Sequence, residues 1–146
     1  MGLNDELRQE TSARLRATGQ RATTGRVDLV AILAAAERPL TIPDILDQRD
    51  GLAQSSVYRN LSVLEQAHVV RRVIGGDEFT RYELAEDLTE HHHHLVCTSC
   101  GTVTDFTIPG SLERSVDEAV AVIAAGTGFK ATGHRLDLLG LCEACG

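Results

Sequence analysis

Residues 91–101 read His-His-His-His-Leu-Val-Cys-Thr-Ser-Cys-Gly, and the rest of the chain is read outward from them. Four of the six histidines and two of the four cysteines fall in this short stretch. Cys142 and Cys145 repeat the Cys-x-x-Cys spacing of Cys97 and Cys100. Each such pair presents two thiolates on one tight turn, and two turns supply the four soft ligands of tetrahedral zinc. The gap between the pairs is longer than in a compact zinc ribbon, so a small folded domain has to bring them together. Two disulfides are the competing reading. The opening residues, Met1 to Glu6, lack the basic-then-apolar pattern of a secretory leader, which argues for reduced thiols and a cytoplasmic protein.

The histidines carry a second message. Leu95-Val96-Cys97 has the composition of a short strand, and a strand sends alternate side chains to opposite faces. If that strand runs back through the histidines, His91 and His93 share one face and His92 and His94 the other. One tetrad then seeds two metal sites. A solvated polyhistidine tract or an expression tag is the plainer alternative. Tags sit at termini, however, and this run leads directly into a cysteine pair.

The 146 residues suffice for one domain or two small ones, and no apolar run approaches the roughly 20 residues of a membrane span. No membrane partner is expected. The net charge of −7 is unevenly placed. Residues 1–85 hold eleven arginines and no lysine against twelve acids, while residues 86–146 hold three basic residues against nine acids. Arginine suits phosphate and guanine contacts, so the split implies two domains with different partners.

The first part reads as helices followed by a hairpin. Residues 4–17 look helical, with Leu7 and Leu15 on a mostly polar surface. Thr23 or Thr24 can cap a second helix through Ala36 carrying Val27, Val30 and Leu33. Thr41-Ile42-Pro43-Asp44 is a helix start, with a capping Thr, an early Pro and an acid at the third position. A further helix runs from about Gln54 to Ala67. Its buried stripe is Val57, Leu61 and Leu64, and its opposite face carries Ser55, Tyr58, Arg59 and Ser62 with no acid. Two apolar segments, Val69–Ile74 and Phe79–Leu84, flank Gly75-Gly76-Asp77 and make a hairpin. This order predicts a winged helix-turn-helix, whose last helix enters the major groove.

Residues 86–90 read as a polar hinge. Beyond it, Thr102–Thr107 and residues 134–141 are expected as strands, and Pro109-Gly110-Ser111 opens a helix with Leu112, Val116, Val120 and Ile123 on one face, closed by Gly126-Thr127-Gly128. The fold class expected is α+β. A winged-helix domain spans 1–85, and a small α/β dimerisation domain with a four-cysteine zinc site spans 91–146. So small a sheet has little core, and zinc and a partner subunit are its expected stabilisers.

With these residues in place, the chain resembles the ferric uptake regulator family over nearly its full length. Gly19-Gln20-Arg21-Ala22-Thr23-Thr24-Gly25-Arg26 is similar to that family's Gly-x-Arg-x-Thr-x-x-Arg segment. Ser55-Ser56-Val57-Tyr58-Arg59-Asn60-Leu61 resembles its recognition helix, and His91–Gly101 its histidine-rich strand and first cysteine pair. The resemblance implies a homodimeric, metal-dependent repressor of double-stranded DNA that reads a palindromic operator. Tyr58, Arg59 and Ser55 would touch DNA, with Arg21 and Thr23 nearby. A structural Zn²⁺ would sit on Cys97, Cys100, Cys142 and Cys145. A regulatory divalent metal (Zn²⁺, Fe²⁺ or Mn²⁺) would sit on Glu83, His92, His94 and Asp105. An additional site would use His91, His93, Glu113 and His134. Two positions depart from the family pattern. Iron and peroxide sensors usually carry a histidine where Glu37-Arg38-Pro39 stands, and zinc sensors often carry a cysteine where Ala85 and Glu86 stand. A zinc-dependent hydrolase is the rival from another class, but there is no His-Glu-x-x-His segment and no nucleophile motif. A zinc-buffering or protein-interaction module is the third possibility.

Overall fold

The computed structural model describes residues 3–146. Four helices come first, and a side-chain cap begins each of the first three. The first, α1 (Asp5–Ala17), starts at Asn4, whose side chain accepts a hydrogen bond from the Leu7 N–H at 2.8 Å. Asp5 and Glu6 in its first turn and Arg14 and Arg16 in its last complement the helix dipole. Thr23 caps α2 (Thr24–Ala35) through the Arg26 N–H. The short α3 (Ile42–Asp47) has a reciprocal capping box. Asp44 N–H donates to Thr41 Oγ1 at 3.2 Å, and Thr41 N–H donates to Asp44 Oδ2 at 2.9 Å. In α4 (Gln54–Gln66), Val57, Leu61 and Leu64 are buried, as their spacing predicts. The chain leaves α4 through His68, a non-glycine residue at φ 58°, in the left-handed region. His68 is exposed and belongs to none of the metal-ligand groups described below.

The hairpin follows as β1 (Val70–Ile74) and β2 (Thr80–Leu84), paired antiparallel with Arg71 opposite Glu83. Leu40 adds an isolated antiparallel bridge to Tyr82, which ties the start of α3 to the wing. The main core lies among these elements. Leu15, Leu29, Val30, Leu33, Ile45, Leu61, Leu64 and Val69 are all nearly or fully sequestered. Leu29, which the sequence reading omits, belongs with them.

The segment expected as a hinge contains a 3-10 turn at Glu86–Leu88 and is tied down. Arg14 donates to both carboxylate oxygens of Asp87, at 3.2 and 2.5 Å, and to the His68 carbonyl at 2.7 Å. One arginine thus joins α1, the end of α4 and the connector.

The C-terminal part is a three-stranded sheet in the order β4-β3-β5, with β3 (His93–Cys97) at its centre. Strand β4 (Val103–Phe106) pairs antiparallel with β3, and β5 (Asp137–Gly140) pairs parallel with it. A parallel neighbour needs a crossover, and α5 (Gly110–Thr127) supplies it. The histidine run enters the sheet only at His93, so His91 and His92 precede the strand. The last strand is also shorter than expected. Helix α5 continues through Gly126 and Thr127 to a left-handed Gly128, and the returning chain meets β3 only where Asp137 faces His94. His134 therefore lies on the approach to the strand. Helix α5 buries none of its residues within one chain. Among the described residues, no helix is long and apolar enough to cross a membrane.

Candidate metal centres and nucleic-acid interface

The fold gathers the candidate ligands into three groups, in each of which the ligand atoms lie within 4.8 Å of one another. The first is Cys97, Cys100, Cys142 and Cys145, all free thiols. Parallel pairing of Leu95 to Cys97 with Leu138 to Gly140 delivers the second turn beside the first. Cys100 Sγ and Cys142 Sγ are 3.7 Å apart. Zinc–sulfur bonds of about 2.3 Å in a tetrahedron set sulfurs about 3.8 Å apart, so this pair has the separation that a shared zinc needs. The Cys100 and Cys142 N–H groups donate to Cys97 Sγ and bring that thiol down to about 6. Cys145 is pushed up to about 11 by the neighbouring Cys142 sulfur. Four crowded thiols cannot all ionise without a cation among them, and this donor set fits zinc.

The second group is Glu83, His92, His94 and Asp105. Register explains its assembly. Glu83 is next to last in β2, and Asp105 of β4 stands opposite His94 of β3. His92 Nε2 and His94 Nε2 stand 2.9 and 3.0 Å from the same oxygen, Glu83 Oε2. Asp105 Oδ1 lies 3.8 and 3.5 Å from those two nitrogens. Burial by itself would raise the Glu83 carboxyl, but hydrogen bonds to His94 and His92 and the charge of Arg71 bring it down to about 2. Burial raises Asp105. Asp105 Oδ1 is a buried acceptor with no hydrogen-bond partner. Such an atom costs about 1–3 kcal/mol, and a cation among these four side chains relieves it. The donor set of two imidazoles and two carboxylates fits a divalent transition metal.

The third group is His91, His93, Glu113 and His134. His93 Nε2 is 2.5 Å from Glu113 Oε1, and His91 Nε2 and His134 Nε2 are each 3.4 Å from that carboxylate. His91 Nε2 and His134 Nε2 are buried without hydrogen-bond partners, so this group also fits a metal. Burial opposes ionisation of Glu113, but the His93 hydrogen bond and the charges of His91 and His134 hold its pKa below the usual value. His93 and Glu113 come from β3 and α5, and the group lies within the C-terminal part.

Several supporting residues escape sequence reading. Arg71 donates to Glu83 Oε1 at 2.8 Å and to Glu86 at 3.4 Å, and Glu86 in turn contacts His91 Nδ1. Asp137 Oδ1 lies 3.8 Å from His94 Nδ1, and Asp117 Oδ1 lies 3.6 Å from His134 Nδ1. Both separations exceed hydrogen-bond length, so these two carboxylates act on the imidazoles through their charge alone. No motif marks them, because only folding brings them near. The departures from the family pattern also have structural outcomes. Arg38 is paired with Asp44 at 3.1 Å, and Glu37 and Arg38 line an open cleft beside His92 and Asp105.

The residues expected at DNA lie on the opposite side of α4 from the core. Ser55, Tyr58 and Arg59 are exposed, as are Arg21 and Thr23. Arg26 braces the two segments, donating to the Arg21 carbonyl at 2.8 Å and to Asn60 Oδ1 at 3.2 Å. Gly25 makes this close approach possible, since a Cβ there would stand 3.1 Å from the Asn60 side chain.

An exposed, acid-free helix face on a winged helix, joined through a buried carboxylate to a histidine cluster, defines a class: DNA-binding regulators that depend on metal ions. The chain belongs to the ferric uptake regulator family, whose model matches residues 17–139. It is 31% identical over 141 residues to the peroxide operon regulator of Bacillus subtilis (strain 168), a match covering 94% of this chain and 92% of that one. The ferric uptake regulator Fur of Helicobacter pylori, whose solved structure reveals three functional metal-binding sites, superposes with a TM-score of 0.72 at 26% identity, covering 97% of this chain and 92% of that chain. The Pseudomonas aeruginosa ferric uptake regulator, solved with manganese, superposes with a TM-score of 0.68 at 25% identity, covering 90% and 96% of the two chains. Members of this family are transcriptional regulators, not enzymes, and the hydrolase reading is set aside on that ground.

Proposed function

We propose that this chain is a homodimeric repressor that acts in the cytoplasm on a palindromic operator, with Fe²⁺, Mn²⁺ or Zn²⁺ as co-repressor. The observation that carries the reading is the position of Glu83. It belongs to the last strand of the wing, while His92, His94 and Asp105 belong to the C-terminal half. A metal held by all four ties residues 1–85 to residues 91–146 across the connector at 86–90. Occupancy then selects one angle between the halves. In a dimer that angle sets the separation of two recognition helices, which must match half-sites about 34 Å apart. Tyr58, Arg59 and Ser55 read the major groove, and Arg21 and Thr23 hold the adjacent backbone. The four cysteines hold a structural zinc, and the group around Glu113 stiffens the C-terminal half.

The test is a titration of the zinc-loaded protein with Fe²⁺, Mn²⁺ and Zn²⁺ while operator binding is followed by fluorescence anisotropy. Glu83→Ala and His92→Ala should abolish the metal response and leave the dimer intact. His91→Ala and His134→Ala should lower affinity but retain a response. A full metal response in Glu83→Ala would overturn the reading.

A further inference from the structure

The turn between β1 and β2 is seated on the first cysteine turn of the other half of the molecule. A Cβ on Gly76 would stand 3.1 Å from the Cys97 carbonyl oxygen and 3.5 Å from Thr98 Cα. A Cβ on Gly75 would lie 3.2 Å from the Gly101 carbonyl and 3.3 Å from Val103 Cγ2. In the other direction, a Cβ on Gly101, at φ 77°, would meet the Asp77 side chain at 2.2–2.5 Å. Glycines on both sides let the two backbones approach this closely.

Two further contacts hold the seat. Val73 of the wing packs with Val96 and Val103 of the C-terminal sheet in a small cluster separate from the main core, each 5% exposed or less. Arg81 of β2, only 6% exposed, grips Asp77 through both guanidinium nitrogens, at 2.5 and 2.8 Å. This holds the carboxylate in place above Gly101.

We propose that the wing tip, Gly75-Gly76-Asp77 with Val73 and Arg81, is a latch seated on the Cys97–Gly101 turn, so that the four-cysteine site also orients the DNA-binding half. Zinc shapes the seat, and the seat holds the wing. Two interactions that share one conformation stabilise each other reciprocally, so a docked wing must also strengthen zinc binding. The wing then touches the C-terminal half at two places, Glu83 at one end and the tip at the other. Two separated contacts define an orientation that one leaves free to swivel. The inference rests on the reading of the four cysteines as a zinc site.

The experiment uses the full zinc-loaded chain and two undocking substitutions, Gly76→Val and Asp77→Ala. Glu78→Ala, an exposed change in the same turn, is the control. Zinc is competed with a chromogenic chelator, and amide hydrogen exchange is followed over residues 73–77 and 97–103. Both undocking variants should show apparent zinc affinity lowered about fivefold or more, with the control unchanged. Removing zinc from the parent should accelerate exchange at 73–77 while α2 and α4 keep their protection, which shows that the wing is released from a folded N-terminal half when its seat is lost. Parental zinc affinity in both variants, or wing exchange indifferent to zinc, would overturn the latch while leaving the zinc site standing. A parent chain that holds no zinc would overturn both.

Discussion

At the scale of single residues, proton linkage at His92 has a measurable sign. Burial pulls this imidazole down, but the Glu90 carbonyl and the Glu83 carboxylate outweigh it, so its pKa lies above the ordinary value of 6.5. A metal takes only the neutral ring, so it must displace that proton. Affinity at the Glu83 group should therefore fall as pH drops through the raised His92 pKa, and binding should release protons wherever that ring is still protonated. Calorimetric titrations in two buffers of different ionisation enthalpy will measure the release. Binding heats that do not depend on the buffer would show that His92 is already neutral. The Glu83 carboxyl, down at about 2, is ionised throughout this range and adds nothing to the slope.

At the scale of elements, α4 separates stability from recognition. Its inner stripe is sealed, with Leu61 and Leu64 at 1% and 0% exposure, while Tyr58 on the outer side is 54% exposed. Leu64→Ala should cost about 2–5 kcal/mol of stability through the cavity it leaves, readable as a lowered thermal midpoint. Arg59→Ala should leave that midpoint unchanged and weaken operator binding by about 1–3 kcal/mol. Arg21→Ala, on the neighbouring segment, should weaken all DNA sequences alike and reduce the salt-dependence slope by about one. A shifted midpoint in Arg59→Ala would place that side chain in the fold instead of at the nucleic acid.

At the scale of the whole molecule, the two halves are stabilised differently. The N-terminal half has a continuous apolar core, whereas only three buried valines make up the second cluster, and one of them comes from the wing. Cys97→Ser should release about one zinc per chain and unfold the C-terminal half, because binding energy at such a site is folding energy. Metal analysis with near-ultraviolet circular dichroism will show this. A partner subunit is the second stabiliser. Val122, Ile123, Leu138, Leu139 and Leu141 are each at least half exposed in the single chain. Leu139→Asp, at a site 71% exposed, should give monomers by light scattering while the N-terminal half stays folded. A stable dimer in that variant would place the interface elsewhere.

The local sequence determined what local chemistry can determine. Asn4, Thr23 and Thr41 start helices because a side-chain oxygen reaches an unpaired N–H two or three residues on, and the Val57-Leu61-Leu64 spacing selects the buried face of α4. Alternation separates His93 from His94 within β3, because it depends only on the direction of successive Cβ atoms, and His91 and His92 join the same two groups although they precede the strand. The partners of those histidines come from elsewhere in the chain. Glu83 arrives from the wing and Asp105 by antiparallel register. Glu113 arrives from the crossover helix and His134 from the approach to β5. Those four are legible in the sequence only through family resemblance. The supports at Arg71, Asp117 and Asp137 and the wing latch at Gly75 to Asp77 carry no sequence signature at all. They join residues from different elements, and only the packing of one half against the other decides which groups meet.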